Sequence, residues 1–344
     1  MNKLKILIIL LLFQRLCFAL NPFQEQVNSI VLKGMELTIN NRYDEATYLY
    51  QQLIDRYPYH PIGYFYKGTA YHAKMLDIEN YDLIEEFYPL MDVVITLSDS
   101  LRKENWEDSW LYFYEGSAYL YRSFIKLKTG SWFSAFRDAR KGANRLEKAI
   151  TIDSMLYDAY LGIGSFKYWK SARANFLLWL PFISDEREKG ISLLYTAIEK
   201  GKFVKSVGRD QLCWILMDNR NYTKAFQLAE ENAKLYPHSR FYKWTLAYAA
   251  FYSGQYELSY QLYDELFNEM QQLPNNNHFN EIDCLVKMAE IMKKREKWKE
   301  SFQLADQALH IKLDDHVRKR AKNKLKRALE IKQEIKLILM KSDS

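Results

Sequence analysis

The sequence predicts an all-α chain built from repeated helical hairpins, and three observations support that prediction. The 344 residues include only 12 Gly and 7 Pro, against 26 Tyr, 19 Phe and 8 Trp, which favours long helices packed through large side chains. The stretch GYFYKGTAYHA spaces Tyr64, Gly68 and Tyr71 by four and then three residues, so all three lie on one helix face. The same aromatic–small–aromatic spacing recurs further along, which indicates an internal repeat.

The chain begins with a pattern that is typical of an export signal. The opening residues MNKLK are basic, residues 6–13 are apolar, and the tripeptide CFA that ends at Ala19 resembles a cleavage site. The apolar run is too short to span a bilayer as a helix. We therefore expect residues 1–19 to be a signal peptide, and the mature chain to lie in the periplasm or at the periphery of the cell envelope. The alternative is a buried N-terminal strand or helix.

The first repeat unit starts at Val27 and the second at Pro61, 34 residues later. In the first unit, positions 8, 17, 20, 24 and 32 are occupied by Gly34, Tyr43, Ala46, Tyr50 and Pro58. This pattern resembles the tetratricopeptide repeat (TPR), a helix–turn–helix unit of 34 residues. Small residues at positions 8 and 20 let the two helices approach closely, and aromatic residues fill the space between neighbouring hairpins.

Five further units start at Ser109, Tyr157, Ser206, Arg240 and Ile282. The steps between all starts are 34, 48, 48, 49, 34 and 42 residues, so the middle units have longer helices or insertions. The resemblance implies a right-handed superhelix of about seven hairpins over residues 20–315, which serves binding rather than catalysis.

A shorter stretch, residues 162–201, is similar to the inclusion-body clearance family of TPR proteins, but no activity follows from it. It contains NFLLWLPFI at residues 175–183. This segment is either an exposed apolar site or a loop folded onto the helices.

The TPR resemblance also implies a binding groove. In that family, positions 2, 5, 9, 12 and 13 of each first helix form most of the concave surface. The aromatic residues at these positions are Phe65, Trp110, Phe113, Tyr168, Trp169, Trp214, Phe241, Trp244, Tyr248, Phe251 and Tyr252. Such a groove suits an extended peptide with aromatic or apolar anchors, or the faces of sugars. The alternative is that some of these rings only pack against each other.

The C-terminal segment, residues 316–344, is predicted to be a basic helix with a short tail. Residues 316–341 hold ten Lys or Arg and two Glu, and Leu325, Leu329 and Ile335 follow a helical spacing on one face. This is typical of a capping helix with one buried face. The alternative is peripheral contact with anionic lipid headgroups or with a negatively charged partner. Nucleic acid is not expected as a partner of an exported chain.

Signals for catalysis are absent from the sequence. The six histidines have no metal-ligand spacing, and no nucleophile or phosphate-binding motif occurs. After removal of residues 1–19, Cys213 and Cys284 remain, and we interpret them as small buried thiols. The alternative is that they pair in an oxidising compartment. The sequence therefore predicts no cofactor, no metal and no enzymatic activity.

The leading hypothesis for function is a scaffold or adaptor that binds a protein or peptide partner in the cell envelope. The alternative is a carbohydrate- or lipid-binding module of an envelope assembly, with a glycan as ligand. An enzyme would need carboxylates or histidines that converge from separate repeats.

Overall fold

The computed structural model describes residues 22–105, 107–173 and 184–342. Within these ranges the chain forms fifteen α-helices and no strand. The helices are α1 (Pro22–Ile39), α2 (Tyr43–Arg56), α3 (Pro61–Asp77), α4 (Ile84–Glu104), α5 (Ser109–Lys128), α6 (Trp132–Ile152), α7 (Asp158–Arg173), α8 (Arg187–Lys200), α9 (Lys205–Asp218), α10 (Tyr222–Leu235), α11 (Arg240–Tyr252), α12 (Tyr256–Gln271), α13 (Phe279–Lys294), α14 (Trp298–His310) and α15 (Asp315–Ser342). The predicted signal peptide at residues 1–19 and the apolar segment at residues 175–183 lie outside the described residues.

Consecutive helices pair into seven antiparallel hairpins, from α1/α2 to α13/α14, and α15 follows the last one. Most first helices start within one residue of the predicted unit starts; α1 and α13 start five and three residues earlier. The two steps of 48 residues have a visible cause, because α4, α5 and α6 contain 21, 20 and 21 residues. The step of 49 residues includes residues 174–183, which lie outside the described residues. The prediction of seven helical hairpins is confirmed.

The turn inside five of the hairpins uses one residue in the left-handed region of the backbone. This residue lies two positions before the second helix in each case, and its φ is between 58° and 86°. The residues are Asn41, Gly130, Arg220, Gly254 and Glu296. A left-handed residue after the last helical turn closes the first helix and reverses the chain direction.

Small residues bring the paired helices together, as the repeat pattern predicts. A Cβ atom added to Gly116 in α5 would lie 2.8 Å from the carbonyl oxygen of Gly142 in α6. In the next hairpin, a Cβ added to Gly164 would lie 2.7 Å from the carbonyl oxygen of Gly190. These distances are below van der Waals contact, so only glycine permits this helix separation.

The two ends of the array contact each other. Arg240, at the start of α11, forms an ion pair with Asp77 at the end of α3, with 2.5 Å between Nη2 and Oδ2. Asn280 in α13 donates a hydrogen bond of 2.8 Å from Nδ2 to the backbone carbonyl of Asp77. Arg320 in α15 pairs with Glu79 at 2.6 Å. The superhelix is therefore a tight coil whose second hairpin is joined to the sixth, the seventh and the final helix.

The final helix, α15, caps the array by packing on α13 and α14. Its buried face consists of small and branched residues: Val317, Ala321, Ala328, Ile331 and Ile335. The prediction that Leu329 shares this face was wrong, because the side chain is 45% exposed. Among the helices that the structure describes, none is long and apolar enough to cross a bilayer.

Candidate interaction surface

The candidate surface is the side of four consecutive first helices, α5, α7, α9 and α11, that carries the predicted groove positions; we call it the inner face. Eight of the eleven aromatic residues predicted to line the groove are half-buried or exposed there. They are Trp110, Trp169, Trp214, Phe241, Trp244, Tyr248, Phe251 and Tyr252. Six of the rings, all except Phe241 and Tyr252, pack one side on the hydrophobic core, so the inner face is partly apolar.

The other three predicted groove residues are core residues. Phe65 and Phe113 are buried against each other, with ring centroids 6.1 Å apart. Tyr168 is buried as well, and its hydroxyl donates a hydrogen bond of 2.8 Å to Asp218. The long third hairpin and the tight coil cover these side chains, so in this conformation they are not available to a partner. The candidate surface is reduced to the remaining eight residues.

Tyr248 in α11 packs against two other rings. Its ring centroid lies 5.3 Å from that of Trp214 and 6.0 Å from that of the buried Tyr263. Its hydroxyl donates to Oδ2 of Asp283 over 3.3 Å. Burial, followed by the charge of Asp283, raises the pKa of Tyr248 well above its usual value. The phenol is therefore a fixed hydrogen-bond donor.

A lysine of the seventh hairpin lies over the rings of the sixth. The Nζ atom of Lys287 is 5.3 Å from the ring centroid of Tyr248, 5.0 Å from that of Phe251 and 6.0 Å from that of Tyr252. Lys287 also pairs with Glu290 at 2.9 Å. A cation held over several aromatic faces gains from each ring quadrupole. This arrangement fixes a positive charge at the edge of the aromatic surface.

The capping helix completes a row of ion pairs beside this lysine. Lys324 pairs with Asp283 at 2.5 Å, and Arg327 pairs with Glu290 at 2.7 Å. Burial by itself would raise the pKa of Glu290, but Lys287 and Arg327 outweigh it and lower that pKa. The carboxylate form of Glu290 is therefore stabilised by the two cations.

The sequence analysis missed this charged row because it considered only aromatic residues at the groove positions. Asp283 and Glu290 occupy positions 2 and 9 of the unit that starts at Ile282. The repeat register therefore contained a signal for both carboxylates. The lysine and arginine that α15 supplies follow no repeat position, so only the tertiary structure could place them.

The histidines and cysteines do not form a site on this face. Across residues 22–105, 107–173 and 184–342, no cluster of three or more His, Cys, Asp or Glu could hold a metal ion. His72 is enclosed by aromatic rings, and burial lowers its pKa to about 3. Cys213 and Cys284 are free and buried, as predicted.

Comparison with solved structures defines the fold. No protein-family model matches this chain, and no curated protein matches its sequence. The APC/C hetero-tetramer Cut9–Hcn1 matches 92% of this chain at 12% sequence identity, with a TM-score of 0.56. This chain has the tetratricopeptide-repeat fold. The matched region is 57% of the length of the Cut9–Hcn1 chain, so the TPR array described here is little more than half as long.

Two further solved structures are similar to this TPR array over shorter regions. YrrB, a TPR protein with an unusual peptide-binding site, is 14% identical and covers 66% of this chain and 97% of its own, with a TM-score of 0.45. Pseudomonas aeruginosa PilF, also 14% identical, covers 66% of this chain and 90% of its own, with a TM-score of 0.40. At these identities the likeness concerns the fold alone.

Proposed function

We propose that this TPR array is a non-enzymatic scaffold or adaptor of the cell envelope that binds an extended segment of a partner protein. The observation that carries the proposal is the row of rings on α11, Trp244, Tyr248, Phe251 and Tyr252, next to the cation of Lys287. Tyr252 is the most accessible of these rings, at 44% exposure.

The physical basis is the pairing of apolar and charged groups on one rigid helix face. Half-buried aromatic rings lose little conformational entropy on binding and offer large apolar areas to a partner's anchors. The adjacent row of ion pairs supplies donors and acceptors for the main chain or the charged side chains of the bound segment. The proposed location in the envelope rests on the export signal at residues 1–19.

A glycan ligand is the second candidate, and one contact favours it. The rings of Tyr222 and Tyr252 are nearly parallel, with an interplanar angle of 17° and a centroid separation of 5.4 Å. Flat, accessible rings of this kind stack on sugar faces as readily as on peptide side chains. Soluble oligosaccharides that compete with the partner would favour this second candidate.

The test is site-specific photo-crosslinking in cells. A benzoylphenylalanine is placed at Tyr252 on the inner face and, as the matched control, at Tyr59, which is 80% exposed in the turn between α2 and α3. We expect one partner to crosslink at position 252 and not at position 59. The partner segment identified in this way is then titrated against the wild type and against Tyr252→Ala, which we expect to bind about tenfold more weakly.

Two outcomes would contradict the proposal. The inner face is not the binding surface if position 59 captures the same partner as position 252. It is also not the binding surface if Tyr252→Ala, with an unchanged melting temperature, binds the identified segment as tightly as the wild type.

A further inference from the structure

The turn of the third hairpin exposes a group of large aromatic residues. At the start of α6, Phe133 is 96% exposed, Trp132 is 68% exposed and Phe136 is 56% exposed. Phe124 and Leu127, in the last two turns of α5, are each 40% exposed. We call this group the hairpin-3 tip. Groups of exposed large apolar side chains are uncommon on soluble proteins and mark sites of interaction.

The hairpin-3 tip lies at the end of two long helices. The helices α5 and α6 contain 20 and 21 residues and are joined by a short turn at residues 129–131. The helix α5 is three residues longer than α3, which adds about 4 Å at 1.5 Å per residue. The exposed rings lie at the end of this hairpin rather than in a groove.

Positive charge surrounds the tip. Residues 122–141 contain six Lys or Arg and a single acidic residue, Asp138, and two of the cations, Arg122 and Lys128, pair with Asp92 and Glu79 of hairpin two. The carboxylate of Asp138 is buried and pairs with Lys126 at 2.6 Å. Arg137 and Arg140 are exposed, and neither has an ion-pair partner among the described residues. By helical spacing they lie on the same outward face of α6 as Phe133.

We propose that the hairpin-3 tip docks this protein on an anionic phospholipid bilayer. Tryptophan and phenylalanine favour the boundary between headgroups and acyl chains, which the end of a hairpin can reach at a depth of about 5–10 Å. Arg137 and Arg140 are then at the level of the lipid phosphates and donate to them. The net positive charge selects an anionic membrane over a protein surface of mixed charge, and the contact is peripheral.

The tip is separate from the aromatic inner face of α11, so this inference does not depend on the proposed function. It also differs from the lipid contact that the sequence predicts for residues 316–341. In α15, Arg320, Lys324, Arg327 and Lys332 are engaged in ion pairs with acidic side chains of the array. The tip combines unpaired arginines with exposed rings on one face, which interfacial binding requires.

The test is flotation of the full chain with phosphatidylcholine vesicles that contain or lack phosphatidylglycerol. The tip variant carries Trp132→Ser, Phe133→Ser and Phe136→Ser. A matched control removes equally exposed side chains elsewhere, through Tyr48→Ser, Tyr59→Ser and Met155→Ser. We expect the wild type and the control to float with anionic vesicles, and the tip variant to partition at least about tenfold more weakly per ring removed.

Two further experiments test the role of the tip arginines and the position of the vesicle contact. Arg137→Gln with Arg140→Gln is expected to weaken binding by about fivefold per charge at low salt. The matched control is Lys319→Gln with Lys322→Gln on α15, where we expect little change. Residues 1–19, which include an apolar run, are present in every variant, so flotation alone does not show which part of the chain contacts the vesicle. Hydrogen exchange supplies a local readout: anionic vesicles should slow amide exchange in residues 131–140 of the wild type.

Several outcomes would overturn the proposal. It fails if the tip variant floats like the wild type, if neutral vesicles bind as well as anionic ones, or if exchange in residues 131–140 is unchanged by vesicles. It also fails if Lys319→Gln with Lys322→Gln abolishes flotation while the tip variant does not. Self-association of the wild type without vesicles, lost in the tip variant, would assign the tip to an interface between copies of this chain.

Discussion

The ion pair between Arg240 and Asp77 should be the strongest polar link between the two ends of the array. The side chain of Asp77 is 0% exposed and that of Arg240 is 14% exposed. The guanidinium is bidentate, with Nε 3.1 Å from both carboxylate oxygens and Nη2 2.5 Å from Oδ2. The substitution Arg240→Met keeps most of the apolar stem but leaves a buried carboxylate without its cation. Loss of one partner of such a pair costs about 3–5 kcal/mol.

The assay is urea unfolding followed by circular dichroism, for Arg240→Met, Asp77→Asn and the double variant. We expect Arg240→Met to lower the free energy of unfolding by about 3–5 kcal/mol. The double variant should be at least about 2 kcal/mol more stable than the sum of the single losses predicts, because no charge is left buried. Small-angle scattering should show a larger radius of gyration for Arg240→Met, since the pair joins hairpins two and six.

The matched control is Arg187→Met, which breaks an ion pair with Asp185 that is local and about one-third exposed. We expect a loss below about 1 kcal/mol for it. Strictly additive losses in the Asp77/Arg240 cycle, or equal losses for Arg240→Met and Arg187→Met, would refute the reasoning. The end-to-end contact would then be a consequence of hairpin stacking rather than a source of stability.

Three further predictions concern the interior. Burial raises the pKa of Asp210, whose Oδ1 accepts a hydrogen bond from the hydroxyl of Thr245, to about 7. Proton binding to Asp210 therefore stabilises the folded state fully below about pH 4, and this stabilisation is lost as the pH rises through 7. Over this range the free energy of unfolding should fall by up to about 4 kcal/mol. Asp210→Asn should remove that slope in pH-dependent urea titrations, and an unchanged slope would disprove the assignment. Gly164→Ala should destabilise by about 1–3 kcal/mol, and a melting temperature at or above that of the wild type would contradict the close helix contact. Burial raises the pKa of the thiols of Cys213 and Cys284. Neither thiol should therefore react with Ellman's reagent until urea unfolds the chain. Reaction in native buffer would show that the thiols are accessible and contradict the prediction.

The repeat pattern in the sequence predicted most of the fold because it records local contacts. Small residues such as Gly116 and Gly164 mark where the two helices of one hairpin touch, and those helices are close in sequence. The helical period places side chains on the face that meets the partner helix. Five unit starts fall within one residue of a helix start, because helix boundaries are set by residues within a turn or two; they are Pro61, Ser109, Tyr157, Ser206 and Arg240.

The candidate surface could be predicted only in part. The register assigned Phe65, Phe113 and Tyr168 to the groove, but these side chains are buried. Their exposure depends on the distance between hairpins, and that distance is set by the curvature of the whole array. The prediction that Leu329 is buried was wrong for a related reason, since the docking angle of α15 decides which of its residues face the last hairpin.

The sequence by itself determined the all-α class, the seven hairpins and the capping helix, since each follows from contacts within one or two repeats. The tertiary structure decided what lies across the coil. It joined Asp77 to Arg240 and Glu79 to Arg320, which are 163 and 241 positions apart. Contacts between residues more than a hundred positions apart depend on small rotations summed over many repeats, which no local pattern of residues records.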